Sequence, residues 1–531
     1  MKHFLMTATP ALLLSAFLSS TALPALAQTT LRLDEVAVGE LDPGKASDYA
    51  DSILMFNVYD TLVLPNQGGP GMAPHLAESW TVEGSTYTFT LRDGVTFTSG
   101  NPLTAEDVVF SLERTKALGA GLSFLFGIVE SAEAVDARTV RFTLSEPYAP
   151  FIASLVRLPI IDKAAVMANL GAGEGEMGDW GQGYLSANSA GTGAYVVRSH
   201  NPQSETVMAK NPAYFLGVAD AAPDEVRLRY GLEPATVRAM IATGEHDISS
   251  QWLPPEVMGA LAGEGAQFLS ETGTGAFYIK LNTQKAPLDD VHCRRALSLA
   301  FDYETARAIT RITDGVATSI PSTGAVPTGM FGANGPEMAL TRDLEAAQAE
   351  LAQCAYNPAD YTLELSWVAE VAIEERFALL MQQSFAELGF NTEIVRVPWV
   401  LFTERVVSPE TTPHISQVFV TAVTGDPDTL LYPMYHSSAA GTWQSPEYLN
   451  DAEVDRLLTE GRTAADDAGR EAAYAGLNAR LIDLAPTIYA YDTNSVFAAS
   501  NRVSVPAMTD PAQAFGVDTM GFSFRLMSMT E

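Results

Sequence analysis

Hydrophobic and polar positions along this chain follow two rhythms, and the switches between them mark out its elements. Tyr87, Phe89 and Leu91 alternate with Thr86, Thr88 and Thr90, the period of two that predicts a half-buried strand. Asp93-Gly94 follows as a hairpin signal, Val95 and Phe97 resume the alternation, and Ser99-Gly100-Asn101-Pro102 ends it. Thr104 stands three residues before Asp107, a capping pattern that opens a helix carrying Val108, Val109 and Leu112. Residues 74–114 therefore predict a compact strand–strand–helix unit.

The same alternation predicts strands over Thr30–Val36, Ala134–Leu144, Gly191–Val197 and Val226–Arg229, and the start of one at His246-Asp247-Ile248. Further strands are expected over Phe277–Asn282, Tyr361–Trp367 and Thr392–Val397. Helical spacing takes over at Ser47–Val63 and Glu233–Thr243. It also puts Cys293, Ala296, Leu297 and Ala300 on one face, and Leu344, Ala347, Leu351 and Cys354 on another. Glu374–Leu388 is amphipathic through Phe377, Leu380, Met381 and Phe385, and stops at Gly389. Strands alternating with helices predict an α/β fold.

At 531 residues the chain is too long for one core, and two or three domains are expected. Its N-terminus has a short basic start at Met1-Lys2-His3, an apolar run from Phe4 to Leu18, and a small-x-small site at Ala25-Leu26-Ala27. This is the pattern of a cleaved signal peptide over residues 1–27. Thr7, Thr9, Pro10 and Ser15 interrupt the run too often for a membrane span. The net charge of −33 makes nucleic acid and anionic lipid poor partners.

The chemistry-bearing residues are sparse. No histidine sits in H-E-x-x-H, no serine sits in G-x-S-x-G, and two cysteines cannot build a structural zinc site. Gly173 to Gly178 spells G-x-G-x-x-G, but no strand runs into it and Glu174 and Glu176 would face a pyrophosphate, so an exposed loop is expected. Cys293 and Cys354 fit either a bridge in an oxidising compartment or two buried thiols; their helical faces favour the bridge.

The order of motifs says more than their physics. "LAESW", "YTFTLRDGVTF" and "PLTAEDVVFSLER" follow one another within Pro74–Arg114. "GTGAY" comes at Gly191, "NPAYF" at Asn211, "NTQKAPLDD" at Asn282, and Gly425-Asp426-Pro427-Asp428 precedes Tyr435-His436. The chain resembles the family 5 solute-binding proteins of ABC importers, the oligopeptide-, dipeptide- and nickel-binding group, from about Leu31 to its end. That resemblance implies a periplasmic-binding-protein-like α/β fold of type II, with two lobes, a hinge near residues 275–282 and 490–500, and an inserted smaller domain. The expected division is 28–62, 190–276 and 497–531 for the first lobe, 63–189 for the insert, and 277–496 for the second lobe. It implies no catalysis, no cofactor and no metal. The expected partners are a captured solute and an inner-membrane ABC permease, and the expected state is a periplasmic monomer.

Carried across position by position, the resemblance makes Ser47, Asp48 and Tyr49 cleft residues, because they follow the Leu41-Asp42-Pro43 turn. Gln251 and Trp252 take a cleft position after Asp247-Ile248-Ser249. Thr421, Val423, Thr424 and Asp426 form a wall, with Trp443 as an aromatic lid. Peptide-binding members place an aspartate three residues before the acidic-Pro step, and here that position is Val423, which cannot pair with an ammonium. Asp426 or Asp48 would have to substitute. That departure weakens peptides as candidates; the resemblance alone puts them first, with oligosaccharides close behind and metal chelates third. A chemoreceptor-coupled sensor, a chaperone-like peptide binder and a secreted hydrolase are the other readings.

Overall fold

The computed structural model describes residue 1 and residues 29–530, apart from 36–38, 70, 370, 372, 465 and 518 and the side chains of 272–274. The expected leader, Met1 apart, lies outside the described residues.

Three larger sheets organise the chain, each with its own core. In the first, Thr30–Glu35 runs parallel to Glu225–Tyr230, which pairs antiparallel with Glu205–Lys210, and that strand pairs with Tyr195–Asn201. Alternate residues Leu31, Leu33, Val226 and Leu228 pack with Ile53, Leu54 and Val58 of the helix Tyr49–Val58. Phe497, Phe522, Phe524 and Met527 enter the same core, so both ends of the described chain close one terminal body.

The second sheet is antiparallel, in the order Ala77–Glu83, Thr86–Leu91, Thr139–Leu144 and Val129–Ala134. The helix Ala105–Leu118 opens on a capping box, with Asp107 accepting from the Thr104 amide at 2.9 Å and hydroxyl at 2.8 Å. Two expectations change in this middle body. No hairpin forms at Asp93-Gly94, because both edges of Thr86–Leu91 are already paired. The turn lies earlier, at Gly84 (φ 63°), and Val95 and Phe97 are buried without joining a ladder, leaving only a bridge between Thr96 and Pro102. The single strand expected over Ala134–Leu144 is the second half of a hairpin, whose turn is tied by the Asp136 carboxylate accepting from the Arg138 amide at 2.8 Å.

The third body is built on six strands in the order Ser319–Ile320, Thr487–Ala499, Gln267–Leu281, Ile415–Thr421, Thr362–Val368 and Asn391–Val397. Phe277, Ile279 and Leu281 pack on one face with Ala296, Leu297 and Phe377, while Ala276 and Tyr278 pack on the other with Leu430, Leu457 and Leu477. Cys293 and Cys354 are joined as a disulfide, their Cα atoms 5.1 Å apart.

Two strands run from this body into the terminal one. Gln267–Leu281 and Thr487–Ala499 pair along nearly their whole lengths, with Leu269 and Phe497 in the terminal core and Ile279 and Ile488 in the large one. Their register slips between Thr272 and Ala276, opposite Asn494 and Asp492. The strand expected at His246-Asp247-Ile248 is reduced to bridges from Ile248 to Leu33 and Ala499. Among the described residues no helix is long and apolar enough to cross a membrane.

Candidate functional site

A cavity of about 470 Å³ opens where the three bodies meet. On the terminal side it is walled by the N-terminus of helix Tyr49–Val58, with Ser47, Asp48, Tyr49 and Ser52 facing it. The Asp48 carboxylate caps that helix, accepting from the Asp51 amide at 3.0 Å, while Asp51 accepts from the Ser47 and Asp48 amides at 2.7 and 3.1 Å. Burial, with the Asp51 charge adding to it, pushes the Asp48 carboxyl above its ordinary pKa.

The loop Gln251–Pro255 forms the next wall. Ser250 holds its start by accepting from the Trp252 amide at 3.0 Å, and the Gln251 side-chain oxygen accepts from the Ser495 hydroxyl at 2.7 Å. Trp252 keeps 64% of its surface exposed and lines the cavity with an aromatic side chain. Opposite it stand Phe419, Val420, Thr421 and Val423 of the large body, and the crossing strand contributes Thr493, Asn494 and Ser495.

The middle body supplies Leu122 and Arg157. Arg157 donates to the Ser52 hydroxyl at 3.0 Å and to the Val423 carbonyl, and its guanidinium lies 5.0 Å from the Phe56 ring centroid. One side chain thus links all three bodies at the cavity wall. Among the described residues, Asp48 and Arg157 are the charged ones lining the cavity; hydroxyls, amides, aromatics and aliphatics make up the rest. Among the described lining residues there is no histidine, cysteine or lysine.

Ser47, Asp48, Tyr49, Gln251, Trp252, Thr421 and Val423 all line this cavity. Thr424 and Asp426 do not, because the chain turns at Gly425 (φ 73°) and carries them into a second cavity of about 290 Å³. Asp426 is held there by Arg470, whose Nη2 donates to both carboxylate oxygens at 2.9 and 2.8 Å. Trp443 lines neither cavity; its ring meets Trp399 at 5.4 Å between centroids. His436 bonds Ser438 at 2.7 Å and stacks on Tyr432. Sequence reasoning missed Arg157, Phe419 and the Thr493–Ser495 run. A signal existed for Arg157, a lone charge inside the apolar stretch Phe151–Ile161.

Residues 71–442 match the family described as "Bacterial extracellular solute-binding proteins, family 5 Middle". The chain belongs to that family. The family 5 chain is 27% identical over 495 residues to the probable D,D-dipeptide-binding periplasmic protein DdpA of Escherichia coli K12, covering 90% of this chain and 92% of that one. It is 28% identical to heme-binding protein A of Haemophilus influenzae over 436 residues, 76% of each chain. Its fold superposes on HbpA2 of Haemophilus parasuis with a TM-score of 0.79 at 25% identity, covering 94% of this chain and all of that one. The α/β architecture is therefore that of a family 5 solute-binding protein.

Proposed function

We propose that this protein captures a short peptide or peptide-like solute in the 470 Å³ cavity and delivers it to the permease of an ABC importer, making and breaking no bond. The observation that carries this reading is a cavity walled by all three bodies, so that a solute inside it touches every part that moves. Its volume lies in the range of small-molecule sites, ~300–1,000 Å³. DdpA, a dipeptide binder by name, aligns along nearly the whole chain. Asp48 takes the solute's ammonium, since Asp426 already belongs to Arg470 and Val423 carries no charge.

In this reading residues 28–62, 190–276 and 497–531 form one lobe, 63–189 the insert and 277–496 the second lobe. The register slip at Thr272–Ala276 is the hinge. The chain works as a periplasmic monomer after cleavage at Ala27. An oligosaccharide is the second reading, favoured by the exposed Trp252 face beside the hydroxyls and amides of Thr493, Asn494 and Ser495.

A thermal-shift panel tests both readings, because a solute at 100 times its Kd adds about 2.7 kcal/mol. Free-amine di- to pentapeptides are expected to stabilise the protein and their N-acetylated forms to fail, with the difference lost in Asp48→Asn. Stabilisation by oligosaccharides alone moves the assignment to the second reading.

A further inference from the structure

Three neighbouring strands of the large sheet, Ile415–Thr421, Gln267–Leu281 and Thr487–Ala499, give the 470 Å³ cavity its floor, and side chains cross them in rows. One row is aromatic: Phe277 packs against Phe419 and Tyr491, with ring centroids 4.6 and 5.2 Å apart. Two residues along each strand the row changes character. Thr421 is paired with Gly275, and Thr493 stands on the other side of that glycine. Position 275 is a gap between two hydroxyls.

The gap is tight. A Cβ at position 275 would stand 2.5 Å from Thr493 Oγ1, 2.8 Å from Thr421 Oγ1 and 2.8 Å from the Val420 carbonyl oxygen. Strands on either side of a third lie about 9–10 Å apart, and a side chain on the middle strand ordinarily separates theirs. Without one here, the two hydroxyls converge on a single point. Glycine inside a strand marks a bulge or a place where a ligand or another backbone comes close. Both threonines line the cavity, and among the described residues neither hydroxyl has a hydrogen-bond partner.

The charges of the cavity lie elsewhere. Asp48 belongs to the terminal body and Arg157 to the middle body, while the described lining residues of the large body carry no charge. An ion held on this floor would be desolvated without an opposite charge, whereas a hydroxyl both donates and accepts. We infer that Thr421 and Thr493, brought together by Gly275, determine specificity by holding an uncharged hydrogen-bonding group of the solute, an amide or a hydroxyl. The inference rests on capture of a solute in this cavity, whose charged ends then go to Asp48 and Arg157.

Thermal shift of the full chain with two probes, mixed free-amine di- to pentapeptides and mixed oligosaccharides, tests it. The mixture that stabilises the wild type tells a peptide amide from a sugar hydroxyl, and its half-saturating concentration is then read in variants. Thr421→Val and Thr493→Val keep the β-branched shape without the hydroxyl, and each is expected to raise that concentration at least fivefold. Thr421→Ser and Thr493→Ser keep the hydroxyl and are expected to stay within twofold of the wild type. Gly275→Ala pushes both hydroxyls aside and is expected to abolish the stabilisation; the valine variants decide the matter if it does not fold. Valine variants that bind like the wild type, or serine variants as weak as the valine ones, overturn the inference and leave capture standing. Stabilisation of the wild type by neither mixture overturns capture of these solutes and the inference with it.

Discussion

Tyr148 of the middle body donates a hydrogen bond to Asp428 of the large body, 2.7 Å from oxygen to oxygen. Asp428 also pairs with Arg462 at 3.1 Å, and that guanidinium lies over the rings of Tyr432 and Tyr148, at 3.8 and 5.0 Å from their centroids. Together with Arg157, which reaches the Val423 carbonyl, this cluster joins the middle and large bodies. Burial pushes the Asp428 carboxyl up to about 6, against the lowering effect of the Arg462 charge beside it.

Tyr148→Phe removes the bond across that seam and nothing else. A hydrogen bond to a charged group is worth about 1.5–3 kcal/mol. The variant is expected to raise the Kd of a captured solute at least tenfold, with the stoichiometry unchanged. Titration calorimetry checks this, and an unaltered Kd removes the seam from the binding mechanism.

Lys280 and Glu447 form a fully buried pair, 3.4 Å apart, with the ammonium 3.9 Å from the Tyr435 ring centroid. Burial lowers the Lys280 pKa and raises that of Glu447. Lys280→Met strands the carboxylate and is expected to cost about 3–5 kcal/mol, whereas the double variant Lys280→Met/Glu447→Leu recovers most of that loss. Urea unfolding of the three proteins gives the comparison directly.

Glu374 is buried, and burial pushes its carboxyl up to about 8 although its Oε2 accepts from the Val368 amide at 2.7 Å. The folded state therefore holds a proton that the unfolded state releases near 4.5. This carboxyl's contribution to stability falls as pH rises from about 4.5 to about 8. Glu374→Gln keeps an acceptor for Val368 and removes the charging cost. Its gain in Tm over the wild type is expected to be small at pH 5 and largest at pH 8; a gain independent of pH contradicts the assignment.

The Cys293–Cys354 bridge spans 61 residues, and a loop of that length stabilises by roughly 4 kcal/mol in the chain-entropy model. The double variant Cys293→Ala/Cys354→Ala is expected to lose about that much in urea unfolding. Non-reducing mass spectrometry of the wild type should find no free thiol.

The sequence carried these features unevenly. Strands such as Thr86–Leu91 and the capped helix after Thr104 are written in local rules, so periodicity and capping were enough to find them. The misplaced hairpin at Asp93-Gly94 had a valid turn signal. It failed because the pairing edges of Thr86–Leu91 are filled by Ala77–Glu83 and by Thr139–Leu144, and the second of these comes from far along the chain. The cavity residues follow the same division. Asp48 and Trp252 sit beside recognisable motifs, whereas Arg157 acquires its place only when Ser52 and Val423, distant in sequence, come to either side of it. Asp426 looked like a cleft acid until Arg470, 44 residues on, claimed it.

Capture by closure of the lobes is the central claim, and small-angle scattering of the full chain measures it most directly. With a saturating amount of a peptide that stabilises the protein thermally, the account predicts a smaller radius of gyration than that of the free protein. The proposed hinge is the register slip at Thr272–Ala276 within the paired strands Gln267–Leu281 and Thr487–Ala499. A scattering profile that stays the same at saturation contradicts it.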